Sequence, residues 1–172
     1  MIFGMTALGF IHVVISLIGI FSGLFLVYGF IAGKSLDHIT ALFLSTTTAT
    51  SITGYFFPFH GVTPGIVVGA ISLVALAVAV YARYSRHLER GWRTTYVISS
   101  VLALYLNVFV LVVQLFERVP SLRALAPTQS ETPFKIAQLV VMALFIALGY
   151  FSVKGFREHP IRVANQPARR AA

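Results

Sequence analysis

The sequence predicts an all-α, polytopic transmembrane bundle of five helices, with the amino terminus outside and the carboxyl terminus cytoplasmic. Three observations lead there. Of the 172 residues, 58% are hydrophobic and only 10% are charged. A soluble domain carries about 25% charged side chains, so this chain lacks the groups needed to coat a water-facing surface. Its apolar residues fall into blocks close to the roughly twenty needed to cross a hydrocarbon core. Finally, Lys34, residues 83–93 and the stretch after residue 153 hold ten of the thirteen Lys and Arg residues. With five crossings these three stretches share one side, which the positive-inside rule makes cytoplasmic.

The first span, 6–32, begins almost at Met1. No basic region precedes it and no small-residue cleavage site follows, so the expectation is a retained span and not a cleavable signal peptide. Ala32-Gly33-Lys34-Ser35 reads as a tight link, with Ser35 as N-cap and Asp37 in the first turn of the next helix. The second span, 36–57, is ended by Pro58 and Gly61. The third, 64–84, enters through Thr63-Pro64, a cap followed by proline at the first helical position. Residues 83–93 (RYSRHLERGWR) form a short basic hairpin before the fourth span, 94–116. Residues 117–133 form the one long loop, whose part 126–134 is long enough to act as a lid, and Thr132-Pro133 opens the fifth span, 134–153. These elements make one helical domain, 1–157, followed by a basic cytoplasmic tail, 158–172. Tyr84, Trp92 and Tyr96 read as an aromatic belt at the inner interface. No internal repeat is evident.

The second span is the unusual one. Residues 45–53 carry seven hydroxyl side chains in nine positions, with His38 and His60 near the ends of the stretch. At 100° per residue, Thr40, Thr47, Ser51 and Gly54 share a stripe. The first span carries a matching stripe of His12, Ser16, Gly19 and Gly23, and the fourth adds Tyr96, Ser100, Ala103, Asn107, Val110 and Gln114. The plainer interpretation is that small and hydroxyl residues form tight interhelical seams. Asn and Gln in lipid nevertheless require partners. His12, Ser51, Asn107, Gln114 and Gln138 can all lie in the outer half, so a polar ligand pocket made by these five is expected.

His12 is an ionisable group inside a span, a functional-site hypothesis by default, and imidazole can bind metal, bind haem or carry a proton. A haem b held by His12 and His60 would want ligands on two facing helices, and only His12 is clearly helical. Asp37, His38, His87 and Glu89 are explained by their interfacial position, so no metal site is expected. There is no cysteine, which excludes disulfides and thiolate chemistry. The +8 net charge reflects topology and not nucleic-acid binding, since no aromatic interleaving accompanies the basic residues.

His12 early in the first span, the DHITALFL entry to the second, the YFFPFHG exit and the LAPTQSETPF loop together resemble a group of small bacterial inner-membrane proteins of uncharacterised function. The arrangement is more loosely similar to histidine-bearing, cytochrome-b-like bundles. The first resemblance implies a multi-pass protein of the bacterial inner (cytoplasmic) membrane. The leading expectation is a non-enzymatic protein with an outer-leaflet polar pocket around His12, binding a small ligand, a lipid or quinone headgroup, or a partner subunit. It would be surrounded by membrane lipids, and either form a homo-oligomer or join a larger membrane complex. The alternatives are a haem b redox subunit and a small transporter or channel lined by Thr47, Ser51 and Asn107.

Overall fold

The computed structural model describes residues 6–57 and 64–158. Among these residues the chain is helical, with no strand: α1 (Ala7–Ile31), α2 (Asp37–Gly54), α3 (Pro64–Val80), α4 (Trp92–Arg118), α5 (Pro120–Leu125) and α6 (Thr132–Glu158). A π-helical turn, Tyr81–Ser85, continues α3. Four helices are long and apolar enough to cross a membrane: Ala7–Ile31, Gly65–Ser85, Trp92–Arg118 and Thr132–Phe156. The fifth expected span, α2, is not among them. It has 18 residues, about 27 Å at the helical rise, and its hydroxyls lower its hydropathy.

The link from α1 to α2 folds as the sequence suggests. Gly33 takes a positive φ of 65°, while its amide donates to the Phe30 carbonyl and that of Lys34 to the Gly29 carbonyl. This is a Schellman closure, for which glycine is the natural residue. The N-cap expectation for Ser35 is corrected: the cap position is Leu36 without a side-chain bond, and the Ser35 hydroxyl donates to Asp37 instead. α2 ends at Gly54, four residues before Pro58, whose ring would collide with the carbonyl four positions back. Thr63 lies outside the described residues. The stretch 117–133, expected as a loop, contains the short helix α5, which starts at Pro120 with proline in its first turn.

α1 and α4 form the centre. α2 and α3 pack on one side of this pair, and α6 lies in the groove on the other. α4 is the most enclosed span and α6 the least. The hydrophobic core fills the half of the bundle nearer the Lys34 link, with Leu26, Val27 and Phe30 of α1, Phe43 and Leu44 of α2, Leu76 of α3, Tyr96 and Leu104 of α4, and Phe156 of α6. Tyr96 is a core residue, 0% exposed, and not a member of the interfacial belt. Its hydroxyl pairs with Thr40 at 3.1 Å, which removes the penalty of burying it.

Close backbone approach sets the spacing of α1 and α6. A Cβ built on Gly155 would collide with the carbonyl of Ile31, so no side chain fits there without moving one helix. Gly149, on the same helix, has only Val101 Cγ1 at 3.7 Å. Gly155→Ala is therefore expected to cost about 1–3 kcal/mol of overpacking and to lower the melting temperature in detergent. Gly149→Ala should be neutral or stabilising by up to about 1 kcal/mol.

Candidate functional site

Several interior polar residues, His12, Ser16, Thr47, Thr53 and Asn107 among them, lie between α1, α2 and α4. Serine and threonine in a helix can return their hydroxyls to the preceding turn, and α2 uses this device repeatedly. Ser45 and Thr46 donate to the Leu42 carbonyl at 3.1 and 2.6 Å, and Thr53 to that of Ala49 at 2.8 Å. Much of the hydroxyl content of α2 is thus satisfied within the helix, leaving few groups for interhelical chemistry.

At the end far from Lys34, His12 Nδ1 lies 2.9 Å from Thr53 Oγ1. The Thr53 hydroxyl also reaches the Ala49 carbonyl, so the imidazole tautomer decides which of His12 and Thr53 donates to the other. The Phe57 ring meets the imidazole edge-on at 5.2 Å, and Gly54 lies beside it, where a Cβ would make an ordinary van der Waals contact with His12 Cε1 at 3.8 Å. One turn further along α1, the Ser16 hydroxyl donates to Asn107 Oδ1 at 2.9 Å.

The next turn brings unpaired groups together. Asn107 is 7% exposed and Thr47 is 1% exposed, yet Asn107 Nδ2, Thr47 Oγ1 and the neighbouring Thr50 Oγ1 have no hydrogen-bond partner among the described residues. Two of these atoms converge on Gly19, the central residue of α1. A Cβ at Gly19 would stand 3.0 Å from Thr47 Oγ1, 3.3 Å from Asn107 Nδ2 and 3.4 Å from Thr46 Oγ1. The absence of a side chain at position 19 lets α1, α2 and α4 present these polar atoms to one point at mid-depth. One turn on, the space beside Gly23 is filled by Leu104 and Phe43, whose carbons would lie 2.6 and 2.9 Å from a Cβ there. That apolar pair separates the His12–Asn107 compartment from the Thr40–Tyr96 pair.

Of the five residues assigned to one pocket, the structure links His12 and Asn107 to a shared α1 face, through Thr53 and Ser16. The other three are held elsewhere. Ser51 turns towards α3 and donates to Ser72 Oγ at 3.2 Å. Gln138 is buried between α6 and α4, where its amide donates to the Phe109 carbonyl at 3.2 Å and Oε1 has no partner among the described residues. Gln114 is exposed and accepts from Arg118 Nε at 3.0 Å. His60 lies outside the described residues. Thr53, which is not among those five, is the α2 residue that meets His12; its signal is the six-residue step from Thr47, since both side chains lie against α1. The loop before α6 packs on α4, where Gln129 Nε2 donates to the Val113 carbonyl at 3.2 Å. Among the described residues no three His, Cys, Asp or Glu side chains group as a metal site.

Searches of protein families, curated proteins and solved structures return no match for this chain.

The Ser16–Asn107 bond predicts a coupling energy of about 0.6–1.7 kcal/mol in a double-mutant cycle of Ser16→Ala and Asn107→Ala, the range for interhelical bonds in lipid. Gln114→Ala, at an exposed pair, should change stability by no more than about 0.5 kcal/mol. Unfolding of the purified protein in mixed micelles measures both.

Proposed function

We propose that this chain is a multi-pass membrane protein that holds a small, neutral, hydrogen-bond-accepting molecule between α1, α2 and α4. A carbonyl group of the quinone or lipid-headgroup type has the required chemistry. The observation that carries this reading is the amide nitrogen of Asn107, buried near the Thr47 hydroxyl at Gly19, with the Thr50 hydroxyl one turn further along α2; none of the three has a partner among the described residues. Each buried donor left unmade costs roughly 1–3 kcal/mol, and in a bundle surrounded by hydrocarbon no bulk water relieves it. Asn107 Nδ2 can only donate, and the two hydroxyls can donate as well. An acceptor oxygen from a ligand matches all three. None of these side chains is charged, which favours a neutral carbonyl over a carboxylate.

In this reading α2 is a fifth crossing, the amino terminus is outside and the Lys34 end is cytoplasmic, in a bacterial inner membrane. The direction of the neighbouring helices supports the fifth crossing. The Asp37–Arg83 ion pair joins the start of α2 to the end of α3, and Gly33 joins the start of α2 to the end of α1. α1 and α3 therefore run the same way, and the chain has to return between them. The internally bonded hydroxyls make that return tolerable in lipid. The basic residues collected at the Lys34 end support the orientation.

Mass spectrometry of organic extracts from the purified protein tests the proposal. A carbonyl-bearing molecule should accompany the wild type in stoichiometric amount. It should be lost from Asn107→Leu, which removes the donor, and from Gly19→Ala, which places a methyl group at the meeting point. The same extract from all three, or a wild-type extract free of any such compound, would contradict the reading.

A further inference from the structure

The Lys34 end of the bundle carries a different chemistry, independent of the interior site. Among the described residues Lys34, Arg83, Arg86, Arg90, Arg93 and Lys154 gather there. Only Arg83 forms an ion pair among the described residues, with Asp37. It lies over the rings of Tyr84 and Tyr96, with Cζ 5.8 and 5.4 Å from their centroids. Arg83 is thus spent on internal structure, tying α2 to the π-helical turn and to the core.

Arg86 and Arg93 are arranged differently. Arg86 Cζ lies 5.3 Å over the Trp92 ring, and Arg93 Cζ lies 5.7 Å over the Phe156 ring. Both platforms are anchored. Trp92 meets Tyr81 edge-on at 5.3 Å, and Phe156, 3% exposed, packs against Phe30 at 5.1 Å. Stacking on a ring fixes a guanidinium while leaving its N–H edge free. Among the described residues neither guanidinium donates to a protein acceptor. The turn between them is also fixed: Leu88 is buried at 7% exposure, and its amide donates to the Ala82 carbonyl at 3.1 Å.

Two oriented guanidiniums with unspent donors therefore flank the start of α4, at a level marked by the exposed rings of Tyr81 and Tyr84. The helices leading away from it are apolar outside, with Val74, Val78, Ile98 and Leu102 exposed. A planar guanidinium matches a phosphate geometrically, aromatic rings at this level mark a membrane–water boundary, and an apolar wall continues from it. We infer that Arg86 and Arg93 form a binding site for the phosphate of an anionic phospholipid, with its acyl chains along the outer faces of α3 and α4.

Trp92 is the only tryptophan in the chain and sits beneath Arg86, so it reports on this site. The full-length protein in mixed micelles is titrated with phosphatidylglycerol or phosphatidylcholine brominated on the acyl chains, and Trp92 quenching is followed. Each basic residue near an anionic surface contributes about fivefold in affinity, so the pair should favour phosphatidylglycerol by roughly twenty-five-fold. Arg86→Gln with Arg93→Gln should reduce that preference to about twofold or less. Arg118→Gln with Arg123→Gln, at the opposite end, should leave it intact. Should the double variant not fold, Arg86→Gln alone, with a loss of about fivefold, carries the test. Equal quenching by both lipids in the wild type, or a preference unchanged in Arg86→Gln, overturns the inference. So does an equal loss in the Arg118/Arg123 variant, which would reduce the effect to net charge. Relief of quenching by millimolar inorganic phosphate would assign the site to a soluble phosphate compound, and overturns the lipid.

Discussion

A polar group enclosed by apolar surroundings must find its partner inside the protein, and the rest of this structure follows from how α2 meets that requirement. Its hydroxyls return to the carbonyls of Leu42 and Ala49, pair with Tyr96 through Thr40, or meet α3 through Ser51. The pairs with Tyr96 and Ser72 need a neighbouring helix at close range, and along α1 the glycines allow such an approach. At Gly23 the vacated space receives Phe43 and Leu104; at Gly19 it receives Thr47 Oγ1 and Asn107 Nδ2, which have no partner among the described residues. One seam thus changes character within a single turn, from apolar packing to a cluster of donors.

That change separates two chemistries along the bundle. Towards the Lys34 end the interior is closed by aromatic and aliphatic side chains, and the charge there is carried outside it on Arg86 and Arg93. Towards the other end the interior is polar, and among the described residues His12 has no charged partner. A continuous polar path would have to pass Phe43 and Leu104, which makes α2 a poor pore lining despite its composition. A binding site at mid-depth accommodates both the unpaired Asn107 amide and the apolar plug beneath it.

Much of the architecture was legible because it rests on local chemistry. The Gly33 turn and the apolar blocks follow from composition and spacing alone. The site was legible only in part. The interior stripe of the first span named His12, Ser16 and Gly19 together, and these residues do line one face of the structure. Periodicity could not say which neighbour each α2 residue meets, however: Thr53 meets His12 of α1, while Ser51, two residues away, meets Ser72 of α3. Tyr96 looked interfacial by its distance from the helix end, and only the distant Thr40 and Arg83 make its burial tolerable. The π-helical turn Tyr81–Ser85 left no signal in the apolar pattern, because one extra residue in a turn alters direction without altering composition.

The claim on which the rest depends is that α2 crosses the membrane between α1 and α3, carrying the hydroxyl-rich seam through it. The chain has no cysteine, so single cysteines can be introduced without background. Ser35→Cys and Phe56→Cys, at the two ends of α2, would be treated in intact cells and in inverted vesicles with a membrane-impermeant maleimide. The account predicts labelling of Phe56→Cys only from outside and of Ser35→Cys only from the cytoplasmic face. Labelling of both from the same side would contradict it.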